Sequence, residues 1–360
     1  MKPRLIPPAL ALPFLLAACT GTDVVDPSPP APSFNTVGFG SPPTWKVTDI
    51  SPVPGNSYAW KINDGSEVVG WSTTTTGDRG WFRRLTGAIA WLPLAPRAIG
   101  SQAYGISNSG FIVGSMSYRN GISRPAFWPS ARSLPVVSDS LPSVNTHAFA
   151  VSDQGDVVGW GLDGGGAQVA FLWRPLTAPT GLTRLASFGI QQTQAYDING
   201  RWIVGAANDG VHGLVAVRWR VGGGAPQILS PPGLGFEGRA YGLSPNGRRI
   251  VGFDELNPGT AVFGASMWTP PGGESVFGPT SYWNPTELRA VTDSGVAVGA
   301  ADVNGVATPW VYRDDPTAGY GLTLDVPASQ SARALSINKA CEIVGWGSGA
   351  AWLWVPSRCP

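Results

Sequence analysis

At 360 residues the chain could form two ordinary domains or one large all-β domain, so length leaves that choice open. Charged residues make up 13% of it, against roughly 25% in an average protein, while 48 Gly and 34 Pro are well above average. Sixteen Trp exclude a disordered low-complexity chain, and a net charge of +1 with two His gives no overall footprint for DNA, RNA or an anionic membrane.

Lys2 and Arg4 precede an apolar run from Leu5 to Ala18, the layout of an export signal and too short to span a bilayer. The run ends in Leu16-Ala17-Ala18-Cys19, which resembles the lipobox of bacterial lipoproteins. That resemblance implies that residues 1–18 are removed and that Cys19 carries lipid. A plain secretory signal with an incidental cysteine is the alternative. Thr20 rather than Asp follows, which by analogy with enterobacterial sorting implies an outer-membrane anchor, at the periplasmic or the surface face. Residues 19–43 are rich in Pro and poor in periodic apolar residues, so they read as a semi-rigid tether.

From Thr44 onward the chain repeats itself with a period of roughly 46 residues. YAWKINDGSEVVGW from Tyr58 is matched by QAYGISNSGFIVG from Gln102, HAFAVSDQGDVVGW from His147 and QAYDINGRWIVG from Gln194. RAYGLSPNGRRIVG from Arg239, LRAVTDSGVAVG from Leu288 and RALSINKACEIVGW from Arg333 complete seven copies. Each copy reads as a hairpin, because Asn, Asp and Gly tolerate positive φ in tight turns and the flanking β-branched residues suit a pleated surface. A third run follows in each copy: WFR at Trp81, AFW at Ala126, AFLW at Ala170, AVRW at Ala216, ASMW at Ala265, PWVY at Pro309 and AWLW at Ala351. A weaker fourth run comes after it, as in IAWLPL from Ile89 and RSLPVV from Arg132.

Seven units of four short strands predict an all-β, seven-bladed β-propeller over residues 44–360. Burial of both blade faces accounts for aromatics without clean alternation, and Tyr104, Phe149, Tyr196 and Tyr241 are expected to pack in the core rather than hold a ligand. The seventh copy lacks a fourth strand, and TWKVTDI from Thr44 lacks a hairpin, so the N-terminal strand should complete the last blade. Cys341 and Cys359 both fall in that blade, and an exported compartment permits their disulfide; two unpaired buried thiols are the alternative.

The hairpin pattern A-x-x-I/L-N/S-x-x-G-x-V-V-G followed by A-F-x-W resembles the bacterial extracellular repeats of the HAF family, over about Tyr58 to Trp354. The His of the family's His-Ala-Phe triplet is missing from the third strands, where Pro125 and Val169 stand, and His147-Ala148-Phe149 lies in a first strand instead. The resemblance implies export and repetition, and no activity.

Motifs for chemistry are sparse. His147 and His212 have no partner at zinc-ligand spacing, and there is no G-x-S-x-G elbow, Walker loop or dinucleotide fingerprint, so neither metal nor cofactor is expected. SDQGDVVGW from Ser152 misses the Asp box of propeller sialidases by one residue, and Asp64, Asp153 and Asp293 sit where a turn simply favours Asp. Loops that differ between copies carry the candidate binding rim: Tyr118, Arg119, Phe236, Asp254, Glu255, Tyr282 and Trp283. The sequence thus points to an envelope-anchored, non-enzymatic binding or scaffolding module. Its expected partners are the membrane, through the lipid on Cys19, and a carbohydrate or an envelope protein. A carbohydrate-active propeller enzyme is the competing reading, and it requires carboxylates converging at one channel mouth.

Overall fold

The computed structural model describes residues 43–139, 145–230, 237–255, 263–270, 273–277, 284–303, 305–313, 320–326 and 331–360. They form seven four-stranded antiparallel sheets, the blades of a seven-bladed β-propeller, with no helix among the described residues. Blade 1 consists of Ser57–Ile62, Val68–Thr74, Gly77–Arg83 and Ile89–Trp91, counted outward from the central channel. The channel-lining first strands of blades 2 to 7 are Ala98–Ile106, Thr146–Val151, Thr193–Ile198, Gly238–Leu243, Asn284–Val291 and Ala332–Ile337.

The ring closes as the incomplete seventh copy predicts. Trp45–Asp49 is the outermost strand of blade 7 and pairs with Ala350–Pro356, from Trp45 opposite Pro356 to Asp49 opposite Trp352. Ile50, Ala59, Ile62, Val68 and Trp81 then pack against Val344, Ala351 and Leu353, so blade 1 and blade 7 share a core. Cys341 and Cys359 are disulfide-bonded, with Cα atoms 5.3 Å apart. Cys341 occupies the turn position taken by Gly110 and Gly155 in blades 2 and 3, and it has their left-handed backbone, with φ +61° against +83° and +85°.

One local feature explains the repeat's most regular letters. Every first strand shifts register just after its Ala, or after Leu288 in blade 6: between Ala59 and Lys61, Ala148 and Ala150, or Leu288 and Ala290, for example. Such a bulge inserts one residue and re-aims its side chain. It also drops a carbonyl onto the facing Gly of Val-Gly: a Cβ at Gly70, Gly159 or Gly205 would stand 1.9 Å from the carbonyl oxygen of Tyr58, His147 or Gln194. No side chain fits there, so the glycine follows from the bulge.

Third strands supply the anchors between blades. Trp81, Trp128, Trp173, Trp219, Trp268, Trp310 and Trp354 are all fully buried, one in each blade. The indole N–H of Trp128 donates to Pro93 O (2.9 Å), that of Trp219 to Ala186 O (2.8 Å) and that of Trp354 to Asp325 O (2.8 Å), each in the connection from the preceding blade. Trp128 lies opposite Ile112, whereas Trp81 and Trp310 lie opposite Gly70 and Gly299, two residues earlier in the strand. This offset is why the first and sixth copies match the third-run pattern poorly.

Candidate functional site

All first strands run the same way, so antiparallel pairing puts the turns between first and second and between third and fourth strands on one face. We refer to it as the turn face. The turns between second and third strands and the connections between blades lie on the opposite, connection face. The channel therefore has two chemically different mouths.

At the turn face a cavity of about 300 Å³ is lined by first-hairpin residues of the blades. Its acidic and amide groups are tied into the ring. Asp64 Oδ1 accepts the Lys339 backbone N–H (2.9 Å), Asn108 Oδ1 that of Asp64 (2.8 Å), Asp153 Oδ1 that of Asn108 (2.8 Å) and Asp293 Oδ1 that of Asn246 (2.9 Å). These aspartates, expected only as turn formers, thus latch each turn to its neighbour. Lys61 of blade 1 reaches Asp197 of blade 4 (3.6 Å), whose other oxygen accepts the Leu243 N–H (3.1 Å). Three carboxylates, Asp64, Asp153 and Asp197, do converge on this cavity, and each is held by backbone donors or a lysine.

The waist is formed by the bulged residues Trp60, Tyr104, Phe149, Tyr196, Tyr241, Arg289 and Leu335, around a cavity of about 90 Å³. Ring centroids follow one another around the axis at 5.1 Å (Trp60 to Tyr104), 5.3 Å (Tyr104 to Phe149), 5.9 Å (Phe149 to Tyr196) and 5.0 Å (Tyr196 to Tyr241). The Arg289 guanidinium closes the series 3.8 Å above Tyr241. These aromatics were expected in the core between blades. The bulge turns them into the channel instead, where they pack on one another.

Two residues earlier in each first strand stand Tyr58, Gln102, His147, Gln194, Arg239, Glu287 and Arg333, nearer the connection face. Glu287 is buried and receives Arg289 (2.6 Å) and Arg333; burial alone would raise its pKa, and the two guanidinium groups hold it below the ordinary carboxylate value. Burial lowers the Arg289 pKa, and Glu287 outweighs that and raises it. Arg239 donates to Glu237 (3.1 Å) and Gln194 (3.4 Å). Tyr104 and Tyr196 donate to Gln102 and Gln194, and burial raises both phenol pKa values. Burial depresses the pKa of His147, whose Nδ1 has no protein partner. Second-strand indoles extend this mouth: Trp71 stacks on Tyr58 at 4.1 Å, Trp346 meets Tyr58 edge-on at 5.0 Å, and Trp160 stacks on Phe149 at 6.1 Å. The buried nitrogens Trp71 Nε1, Trp160 Nε1 and Arg289 Nε lack protein partners, as do Trp81 Nε1 and Trp268 Nε1 between blades.

Of the rim residues expected from sequence, Tyr118 and Arg119 lie at a second-to-third-strand turn of blade 2, on the connection face. Tyr118 is half-buried under Arg124 (5.6 Å), which lowers a phenol pKa that burial raises more, and Arg119 is exposed. Asp254 is buried in blade 5 and accepts the Ser230 hydroxyl; Glu255 beside it is half-buried, with its N–H on Glu237 O (2.9 Å). Phe236, Tyr282, Trp283 and Cys19 lie outside the described residues. Among the described residues, no group of three or more His, Cys, Asp and Glu could hold a metal ion, and no helix is long and apolar enough to cross a membrane.

No protein-family model and no curated protein matches the sequence. Solved structures match the fold. A streptogramin B lyase aligns over 87% of this chain and 98% of its own, at 13% identity and a TM-score of 0.56. YCF48 bound to D1 peptide covers 86% and 96%, at 12% identity and a TM-score of 0.54. A puromycin-hydrolysing peptidase of Mycobacterium tuberculosis aligns over 84% of this chain but 50% of its own, at 14% identity and a TM-score of 0.56, so this chain spans about half of that protein. Similarity at these identities is similarity of fold alone.

Proposed function

We propose that this chain is an exported, lipid-anchored and non-enzymatic binding module of the bacterial envelope, and that it takes an acidic carbohydrate at the connection mouth. The observation that carries this reading is one continuous arc of side chains. Arg239, Glu287 and Arg333 stand on consecutive blades, and Trp346, Tyr58 and Trp71 continue the arc across the closing joint into blade 1. Arginine suits a planar carboxylate, and stacked aromatics suit the apolar face of a sugar ring. Arg333 and Arg239 keep 38% and 23% of their side chains exposed, enough to meet a ligand. Asp64, Asp153 and Asp197, the carboxylates that gather at one mouth as a glycosidase would need, do so at the turn mouth, where each accepts a backbone N–H. Export and the anchor rest on the signal layout, Cys19, and a disulfide that suits an oxidising compartment.

A glycan-array screen of residues 44–360, with uronic-acid oligosaccharides included, tests the reading. Saturable binding should weaken at least about tenfold in Trp346→Ala and in Arg239→Gln, the effect of losing an anchor side chain. Binding untouched by both variants would remove the arc from the site. Absence of any glycan binding would shift the reading to an envelope protein partner, sought by crosslinking in cells. Shortened oligosaccharide products would establish an enzyme instead.

A further inference from the structure

The overall charge of +1 conceals a strong asymmetry between the two faces. Leu85, Leu134 and Leu176 are exposed by 65%, 69% and 53%, and all three sit in third-to-fourth-strand turns, of the adjacent blades 1, 2 and 3. Each has an exposed arginine within two residues: Arg84, Arg132 and Arg174. Blade 4 continues the same face with Arg201, Arg218 and Arg220, whose guanidinium carbons lie 5.9, 4.2 and 4.9 Å from the centre of the Trp202 ring. None of these three arginines forms an ion pair among the described residues. Arg218 has its pKa lowered by burial and by Arg220, so the cluster is held together against its own repulsion.

Among the described residues, Asp64, Asp153, Asp293, Asp156 and Glu342 on this face are already engaged. Asp64, Asp153 and Asp293 accept turn N–H groups, Asp156 pairs with Arg174 (3.1 Å), and Glu342 accepts the Ser66 hydroxyl and the Asn338 amide. The polypeptide also enters the propeller here: Thr44 O accepts the Ser357 N–H (2.8 Å), and the strand from Trp45 runs away from the turn face. Leucine tips beside arginines suit the boundary between headgroups and acyl chains, and unpaired guanidinium groups suit lipid phosphates.

We propose that the turn face is the membrane-facing side of the propeller, with Leu85, Leu134 and Leu176 inserted at an anionic lipid surface and Arg201, Arg218 and Arg220 on its phosphates. This deepens the reading of an envelope lipoprotein and rests on it for a membrane within reach of the tether. The connection mouth then faces away from the bilayer, towards its ligand.

The test uses the unlipidated body from Pro43, whose seven sheets close without any preceding residue. It is sedimented with phosphatidylcholine vesicles, with and without roughly a third phosphatidylglycerol, at low and high salt. Anionic vesicles should bind it at least about tenfold more strongly than neutral ones, since each arginine near such a surface contributes roughly fivefold. Arg201→Ser with Arg220→Ser should abolish that preference. Leu85→Ser with Leu134→Ser and Leu176→Ser should weaken binding to anionic vesicles by roughly tenfold or more. All five side chains are exposed, and unchanged thermal midpoints certify the variants as folded. Equal binding to both vesicle types, no vesicle binding, or binding unchanged in either variant set would overturn the proposal. Capture by soluble polygalacturonate without vesicle binding, lost in Arg201→Ser with Arg220→Ser, would assign these arginines to a polysaccharide and overturn the proposal. The mass of the N-terminal peptide of the cellular protein reports lipid on Cys19 separately, so the anchor and the orientation can fail independently.

Discussion

The two mouths of the channel are built on the same seven strands and differ in what varies around the ring. At the turn mouth the blades repeat one solution, Asn, Asp, Ser or Thr side chains bonded to a neighbouring backbone N–H or within their own turn. At the connection mouth one register position holds Tyr58, Gln102, His147, Gln194, Arg239, Glu287 and Arg333. Repetition there would serve closure as well as it does at the other end. Five residue types at seven equivalent positions fit the proposal that this mouth is shaped for something outside the ring.

Glu287 offers the sharpest way to break the contrast. Replacing it with Ala leaves Arg289 and Arg333 facing each other without their shared carboxylate. Removing one partner of a buried ion pair costs about 3 kcal/mol at the lower end, which applies here because Arg289 and Arg333 keep 27% and 38% of their side chains exposed. Chemical denaturation should show that loss, whereas Asp64→Ala at the turn mouth should show only about 1 kcal/mol for its hydrogen bond. Equal losses would mean that both mouths are structural.

The scaffold common to both mouths depends on the bulge. Gly159→Ala would place a Cβ 1.9 Å from the His147 carbonyl oxygen, so the first two strands of blade 3 must part. About 3 kcal/mol should be lost, as in other overpacked sites. Gly164→Ala, with nothing within 4 Å of the new methyl, should be neutral in the same denaturation series. Reduction of the Cys341–Cys359 bond, 18 positions apart, should cost about 3 kcal/mol through chain entropy and show itself first in blade 7, as early hydrogen exchange there.

Architecture was legible in the sequence because propeller blades write the same letters seven times. Closure by the strand at Trp45 was legible from a missing run, and the disulfide from two cysteines in one blade. Side-chain direction was not. Alternation assigns the residue after the small one to the blade interior, and the one-residue bulge overrides that by aiming Trp60, Tyr104 and Phe149 into the channel. The invariant Val-Gly within the chain was the available sign of the bulge, since a strand interior has no other need for that glycine. Arg289 had a sign too: it breaks the series Trp60, Tyr104, Phe149, Tyr196, Tyr241. The charged turn face was hidden because whole-chain charge averages over two unlike faces.

The smallest effect separates the mouths by pH. Desolvation puts the folded-state pKa of His147 below its ordinary value of 6.5, so the unfolded chain binds this proton more readily than the folded one. Stability from this group is therefore complete above pH about 6.5 and falls as pH drops through that value towards the folded pKa. Tyr104 and Phe149, with ring centroids 5.9 and 6.0 Å away, offer the imidazolium no carboxylate to replace the lost water. A thermal-midpoint series should show a fall between neutrality and pH about 5 that His147→Gln removes. His212→Gln, at an exposed position beside Asp209 (2.8 Å) on the connection rim, is the matched substitution control. A fall that persisted in His147→Gln would mean that this imidazole is not desolvated, and that the connection mouth is a wetter place than its packing implies.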